Sequence, residues 1–286
     1  AQVVAAWTGI PVGKMVQDDV KALLDMETLL TRRIKGQDYG IHTIAKELRS
    51  ARAGLKPLNT PQGVFIFAGP SGVGKTELSK TLAEFLFGDE DALIQLDMSE
   101  FGEKHTVSRL FGSPPGYVGY GEGGMLTEAV RQRPYTVVLL DEVEKADPDV
   151  LNLFYQVFDK GMLSDGEGRL VDFKNTVIIL TSNLATDKIT NMTLAARDED
   201  PKKKLDSDPA FMKEVVEAMK PTLVAHFKPA LLARMTMIPY LPISPDALGS
   251  ITRLKMDALL DRLRKSQRIE ATYSDELVTM IAARCT

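Results

Sequence analysis

The residues with the clearest chemical meaning form a single run, Gly69-Pro70-Ser71-Gly72-Val73-Gly74-Lys75-Thr76, which fits the spacing G-x4-G-K-[ST]. Glycines at these intervals let backbone N–H groups turn inward around phosphate oxygens. The lysine adds a point charge for the β and γ phosphates, and the threonine hydroxyl can ligate Mg²⁺. Gly69, Gly72, Val73, Gly74, Lys75 and Thr76 are therefore the candidate phosphate cradle, with Thr76 doubling as a metal ligand. An ordinary glycine-rich turn is the bland alternative. The apolar run at 63–68 before it and the helical pattern after it favour the phosphate reading.

Phosphate chemistry also needs acids. Val137-Val138-Leu139-Leu140-Asp141-Glu142 is an apolar run ending in two carboxylates. Asp141 would reach the metal from a neighbouring strand tip. Glu142 would orient or deprotonate an attacking water. Thr181-Ser182-Asn183 closes the next apolar run, where a neutral amide can hydrogen-bond the γ phosphate or the water; a turn-forming Asn is the alternative. His42, His105 and His226 are scattered and far from Cys285, so no zinc-site spacing exists.

The elements that must position these groups follow from hydrophobic patterning. Short apolar runs at 63–68, 92–96, 136–140, 176–180 and 235–243 alternate with helical patterns such as 76–87 and 148–158. Continuous apolar strands between helices predict a parallel sheet covered on both faces, an α/β architecture. Helical spacing also covers 18–30 and 41–55, the latter through Ile44, Ala45, Leu48 and Ala51. The stretch 186–208 mixes charge of both signs with little periodicity and is predicted to be a solvated loop. A helix over 246–267 shows two apolar faces, one with Ile251, Leu254 and Ala258, the other with Met256, Leu259, Leu260 and Leu263. Two apolar faces predict two packing neighbours.

Composition bounds the function. The chain has 286 residues, 44% hydrophobic and 26% charged, enough for roughly two domains of a globular protein. Thirty-five Lys and Arg against 39 Asp and Glu give a net charge of -4, which argues against a chain whose main work is gripping nucleic acid. One cysteine excludes an internal disulfide and points to a reducing, cytoplasmic setting. No apolar run approaches the length needed to cross a bilayer. The opening lacks an initiator Met and a signal peptide, and the last helical pattern stops without a terminating residue, so the chain is expected to be part of a longer protein.

The three strand ends in this order, together with Gly116-Tyr117-Val118-Gly119 and Arg234, resemble the AAA+ ATPases of the Clp/Hsp100 group. The resemblance covers essentially the whole chain, and Trp7 to Val12 looks like the junction between the two ATPase rings of a tandem protein, making this the second ring. SPPGYVGYGEGG (113–124), LLDEVEKADPDV (139–150), FDKGMLSDGEGR (158–169) and MTMIPYLPIS (235–244) look most like the ClpV branch serving bacterial type VI secretion; ClpB-type disaggregases are similar almost throughout.

This resemblance implies a P-loop core with a five-stranded parallel sheet. It implies a lead-in segment over 1–30, a large α/β domain over 31–243 and the start of a small helical lid over 244–286. It implies ATP and Mg²⁺, with Ile34 and Gly36 holding the adenine, Asn183 as polar sensor, and Arg234 reaching the γ phosphate of a neighbouring subunit. Tyr117 and Val118 would project into the channel of a homo-hexamer, with 165–169 as a second, polar channel loop. The substrate would be a polypeptide, in the ClpV branch the subunits of the contracted type VI secretion sheath. The peptidase-docking Ile-Gly-[Phe/Leu] pattern is absent from 184–233, so no proteolytic chamber is expected. A ClpB-type disaggregase is the alternative, and a nucleic-acid switch or loader a further one.

Overall fold

The computed structural model describes residues 19–113, 115, 116, 121 and 123–285, with the side chains of 19–22 left aside. Trp7 to Val12, Tyr117 and Val118 lie outside the described residues.

Among the described residues, five strands form one parallel sheet. They are β1 (Gly63–Ala68), β2 (Leu93–Asp97), β3 (Val137–Asp141), β6 (Val177–Ser182) and β7 (Thr236–Pro239), in the order β2-β3-β6-β1-β7. Every residue of β6 is buried, and β1 and β3 are nearly so, as expected for strands covered on both sides. Alternation along each strand feeds two cores. Ile66, Val138, Leu140, Ile178 and Leu180 face one cluster, while Phe65, Phe67, Val137, Leu139, Val177 and Ile179 face the other.

The second cluster is closed by α1 (Asp19–Arg33), α2 (Asp38–Arg52) and α3 (Lys75–Phe87), through Leu30, Ile44, Leu48, Leu78 and Leu82. The first is closed by α4 (Val107–Phe111), α5 (Met125–Gln132), α6 (Pro148–Lys160), α7 (Thr186–Glu199) and α8 (Pro209–His226), through Leu110, Val130, Phe154, Ile189 and Met219. Helix starts carry their own signals: Asp147 accepts from Asp149 N before Pro148, and Asp208 accepts from Ala210 N and Phe211 N before Pro209. A two-stranded hairpin, β4 (Met162–Ser164) and β5 (Leu170–Asp172), turns over residues 165–169.

The predicted loop at 186–208 is mostly helix. Ala185, Ile189, Met192 and Ala196 recur at helical spacing and pack on the first core, and Ile189 and Thr193 are buried. Asp187, Lys188, Asp198 and Glu199 occupy the exposed face. Small and polar residues on the inner face hid the period that larger apolar side chains would have shown.

After α9 (Pro229–Leu232) and β7 come α10 (Pro245–Gln267), capped by Ser244 accepting from Ala247 N, and α11 (Asp275–Arg284). The two-neighbour expectation for α10 is not met among the described residues. It packs along α11 and buries Ala247 and Thr252, whereas Leu254 and Leu259 are exposed.

Parallel pairing puts all five C-terminal strand ends on one edge. Ala68 sits opposite Ser182 and Asp97 opposite Asp141, so Gly69, Asp141, Asn183 and Asp97, distant in sequence, meet there.

Candidate active site

Gly69 leaves β1 with φ 151°, and a Cβ there would collide with the carbonyl oxygen of Tyr240, whose N–H donates to Ala68 O at 2.8 Å. Only glycine fits between the loop and the chain leaving β7. Gly74 is different. Its φ of 99° is left-handed and a Cβ would meet nothing within 4 Å, so conformation rather than space requires glycine, and the ground before the start of α3 stays open.

Lys75 begins α3 and is 8% exposed. Its ammonium donates to Gly69 O at 2.6 Å, Asn183 Oδ1 at 2.9 Å, Pro70 O at 3.2 Å and Ser182 O at 3.3 Å. Burial pulls its pKa below the usual lysine range, and the charges of Glu144, Asp141 and Glu142 work against that pull.

The acids are tied to the next strand by Thr181. Its hydroxyl donates to Asp141 Oδ1 and accepts from Glu142 N at 3.1 Å. Glu142 has φ 57°, a left-handed conformation costly for a residue with a Cβ. Its Oε2 pairs with Lys145 Nζ, and its Oε1 accepts from Asn183 Nδ2 at 3.2 Å. Lysine can only donate and a carboxylate can only accept, so the Asn183 amide has one orientation, oxygen to Lys75 and nitrogen to Glu142. Asn183 thereby bridges the cation and the acid.

These groups surround a pocket of about 410 Å³ whose walls include Gly72, Gly74, Lys75, Thr76, Asp97, Asp141, Glu142 and Asn183. Thr76 and Asp141, the two predicted metal ligands, share its wall. Among the described residues no group of three or more His, Cys, Asp or Glu side chains forms a metal cage. A hydroxyl and one carboxylate beside a phosphate cradle suit Mg²⁺, which keeps waters and phosphate oxygens as its other ligands.

Other predicted residues stand elsewhere. Ile34 is buried in the second core. Gly36, with φ 76°, lines a separate groove of about 700 Å³ alongside Lys35, Arg197, Leu241 and Ala247. Val73 is buried, and its carbonyl accepts from Gln37 Nε2 at 3.3 Å. Arg234 does not line the pocket. It pairs with Asp159, Nη2 to Oδ2 at 2.9 Å, and lies 5.6 Å over the Tyr155 ring.

Sequence reasoning gave no role to Gln37, which is buried and also donates to Leu241 O at 3.0 Å, linking the phosphate loop to the chain after β7. It also passed over Glu144 and Asp97. The signal for Gln37 was a polar residue directly after Gly36, and that for Glu144 a second acid two residues beyond Glu142; Asp97 had none.

A sequence-family model of the AAA domain, Cdc48 subfamily, matches residues 60–238. The chain belongs to this AAA family. The AAA+ ATPase ClpV1 of Pseudomonas aeruginosa is 47% identical over 289 residues, covering 100% of this chain and 31% of that protein. Chaperone protein ClpB of Yersinia enterocolitica is 47% identical over 285 residues, with 100% and 31% covered. Chaperone protein ClpB of Bdellovibrio bacteriovorus is 46% identical over 285 residues, with 99% and 31% covered. The chain spans about a third of the length of these curated relatives. This AAA module is thus of the Clp/Hsp100 kind, a family whose members are nucleotide-using ATPases.

Proposed function

We propose that this AAA module hydrolyses ATP within a homo-hexameric ring and that the ring pulls polypeptide through its channel. The observation that carries the reading is the Asn183 amide spanning Lys75 and Glu142 on the wall of a pocket shared with Thr76 and Asp141.

Each residue has a task that its chemistry allows. The Gly69–Thr76 loop cradles the phosphates through backbone N–H groups, and Lys75 exchanges its carbonyl partners for β and γ oxygens. Thr76 and Asp141 would hold Mg²⁺, which would supply charge neutralisation when bound. Asn183 orients the water, and Glu142 takes the water's proton. Ile34 and Gly36 belong to the base-holding side. Arg234 acts on the nucleotide of the neighbouring copy. Residues 31–243 form the large domain and 244–286 the start of a helical lid. Tyr117 and Val118 grip the polypeptide.

In the ClpV reading the polypeptide is the contracted type VI secretion sheath, handled in the cytoplasm without a peptidase chamber; the stretches 113–124 and 158–169 support it. A ClpB-type disaggregase is the second reading, favoured by ClpB relatives at the same 47% identity as ClpV1. Incubation with preformed sheaths and with heat-aggregated protein separates the two by which one ATP dissolves. A nucleic-acid role is disfavoured by the net charge of -4. No described helix is long and apolar enough to cross a membrane.

The roles themselves are tested in the full-length protein. Lys75→Ala is expected to lose nucleotide affinity. Glu142→Gln is expected to bind ATP as the wild type does and to turn it over about 10² to 10⁴ times more slowly. Nucleotide titration beside steady-state turnover reads both, and equal loss of ATP binding in the two variants would contradict the assignment.

A further inference from the structure

Val143 anchors a short 3-10 turn, Val143–Lys145, directly after β3. Its side chain is fully buried in the first core, so the two flanking acids are sent to different places. Glu142 faces the pocket and takes the Asn183 side-chain amide at 3.2 Å. Glu144 faces the end of β6, where its Oε1 accepts from the Asn183 backbone N–H at 3.0 Å. One turn therefore grips Asn183 at both ends, by its amide and by its main chain.

The other Glu144 oxygen, Oε2, is buried with no hydrogen-bond partner among the described residues. Burying an unpartnered carboxylate oxygen is costly, and native structures hold few such groups without a reason. An apolar residue after Val143 would avoid that cost, but it would leave the Asn183 N–H without its acceptor. Asn183 would then be free to rotate at the point where it must span Lys75 and Glu142. Catalytic groups tolerate little such freedom, because misplacement by about 1 Å can cost about 10²-fold in rate.

We propose that Glu144 is a positioning residue for ATP hydrolysis: its hydrogen bond to the Asn183 main chain fixes the amide that bridges Lys75 and Glu142. This rests on the reading of Asn183 as part of the hydrolytic site. Glu144 acts through Asn183 by accepting this hydrogen bond; its charge also opposes the effect of burial on Lys75, and Glu144→Gln separates the two.

The test compares Glu144→Gln, Glu144→Ala, Asn183→Ala and the double variant Glu144→Ala/Asn183→Ala in the full-length protein. Steady-state kcat and KM for ATP, the dissociation constant of a fluorescent ADP analogue and the Tm are measured on each. Glutamine keeps a carbonyl acceptor for the Asn183 N–H and removes the charge, so Glu144→Gln is expected to keep kcat within about threefold of wild type. Glu144→Ala is expected to lower kcat by about tenfold or more while KM and ADP affinity stay within about threefold. The double variant should be no slower than Asn183→Ala, because both changes remove one function.

Glu144→Gln as slow as Glu144→Ala would overturn the proposal, since charge would then be the active property. A parallel loss of ADP affinity would do the same by placing the effect on Lys75, as would a kcat loss that tracks Tm across the set. Losses that multiply in the double variant would show that Glu144 acts by another route. If Asn183→Ala alone turns over ATP like wild type, the reading of Asn183 itself fails. If Asn183→Ala is slow and Glu144→Ala is not, only the role of Glu144 fails.

Discussion

Asp165 shows how much one carboxylate can organise. Its side chain is 2% exposed, yet its oxygens accept from Arg169 N at 2.8 Å, Glu167 N at 2.9 Å, Arg131 Nη2 at 2.6 Å and Arg169 Nε at 2.9 Å. Burial raises its pKa, but those bonds prevail and hold it at about 2, against 3.8 for an ordinary Asp. A depressed carboxylate stabilises the fold fully above the unfolded value and stops doing so as pH falls through the folded one. The Asp165 clamp should thus be intact above about pH 4 and lost progressively toward about pH 2. Asp165→Asn is expected to lower Tm at neutral pH and to flatten the fall of Tm across that acid window. Calorimetry on both proteins checks this, and parallel acid limbs would contradict it. In the sequence Asp165 was visible only as part of the polar channel loop that the resemblance implies, because its partner Arg131 arrives from α5, which no local pattern connects to it.

At the scale of elements, the sheet was legible and one helix was not. The runs that became β1, β3 and β6 are continuously apolar because both faces are covered, and that burial is itself the sequence signal. The glycine loop was legible for a similar reason: wrapping backbone around phosphate demands particular residue types at fixed spacing. The Asn183 bridge was not, because it depends on β3 and β6 being adjacent and in register, a fact of topology. Helix α7 escaped because its inner face interleaves Ala185, Thr193 and Ala196 with only two large residues, Ile189 and Met192. Ile189→Ala should cost about 2 to 4 kcal/mol of stability. Leu194→Ala, at a position 50% exposed on the same helix, should change it by less than about 0.5 kcal/mol. Denaturant titration of the two variants checks the contrast. A solvated loop over 186–208 would make both neutral.

At the scale of the whole molecule, the position of Arg234 carries the most weight. Its guanidinium lies on the surface of the chain, held by Asp159 and stacked over Tyr155, and contributes nothing to the wall of the phosphate pocket. In the proposed ring Arg234 serves another copy's nucleotide, which would make the ring part of the catalyst. Fingers supplied across a subunit boundary are worth about 10³ to 10⁵ in rate in related phosphoryl transfer. In the proposed ring each site joins acids from one protomer to a finger from the next. The most direct measurement mixes full-length Arg234→Ala with full-length Glu142→Gln, each expected to be nearly inactive alone and to bind ATP. Mixed rings contain some sites with an intact Glu142 and an intact neighbouring Arg234, so turnover in the mixture should rise well above the average of the two separate variants. A mixture that forms mixed rings, shown by subunit-exchange fluorescence, and yet hydrolyses ATP no faster than its components would contradict the claim.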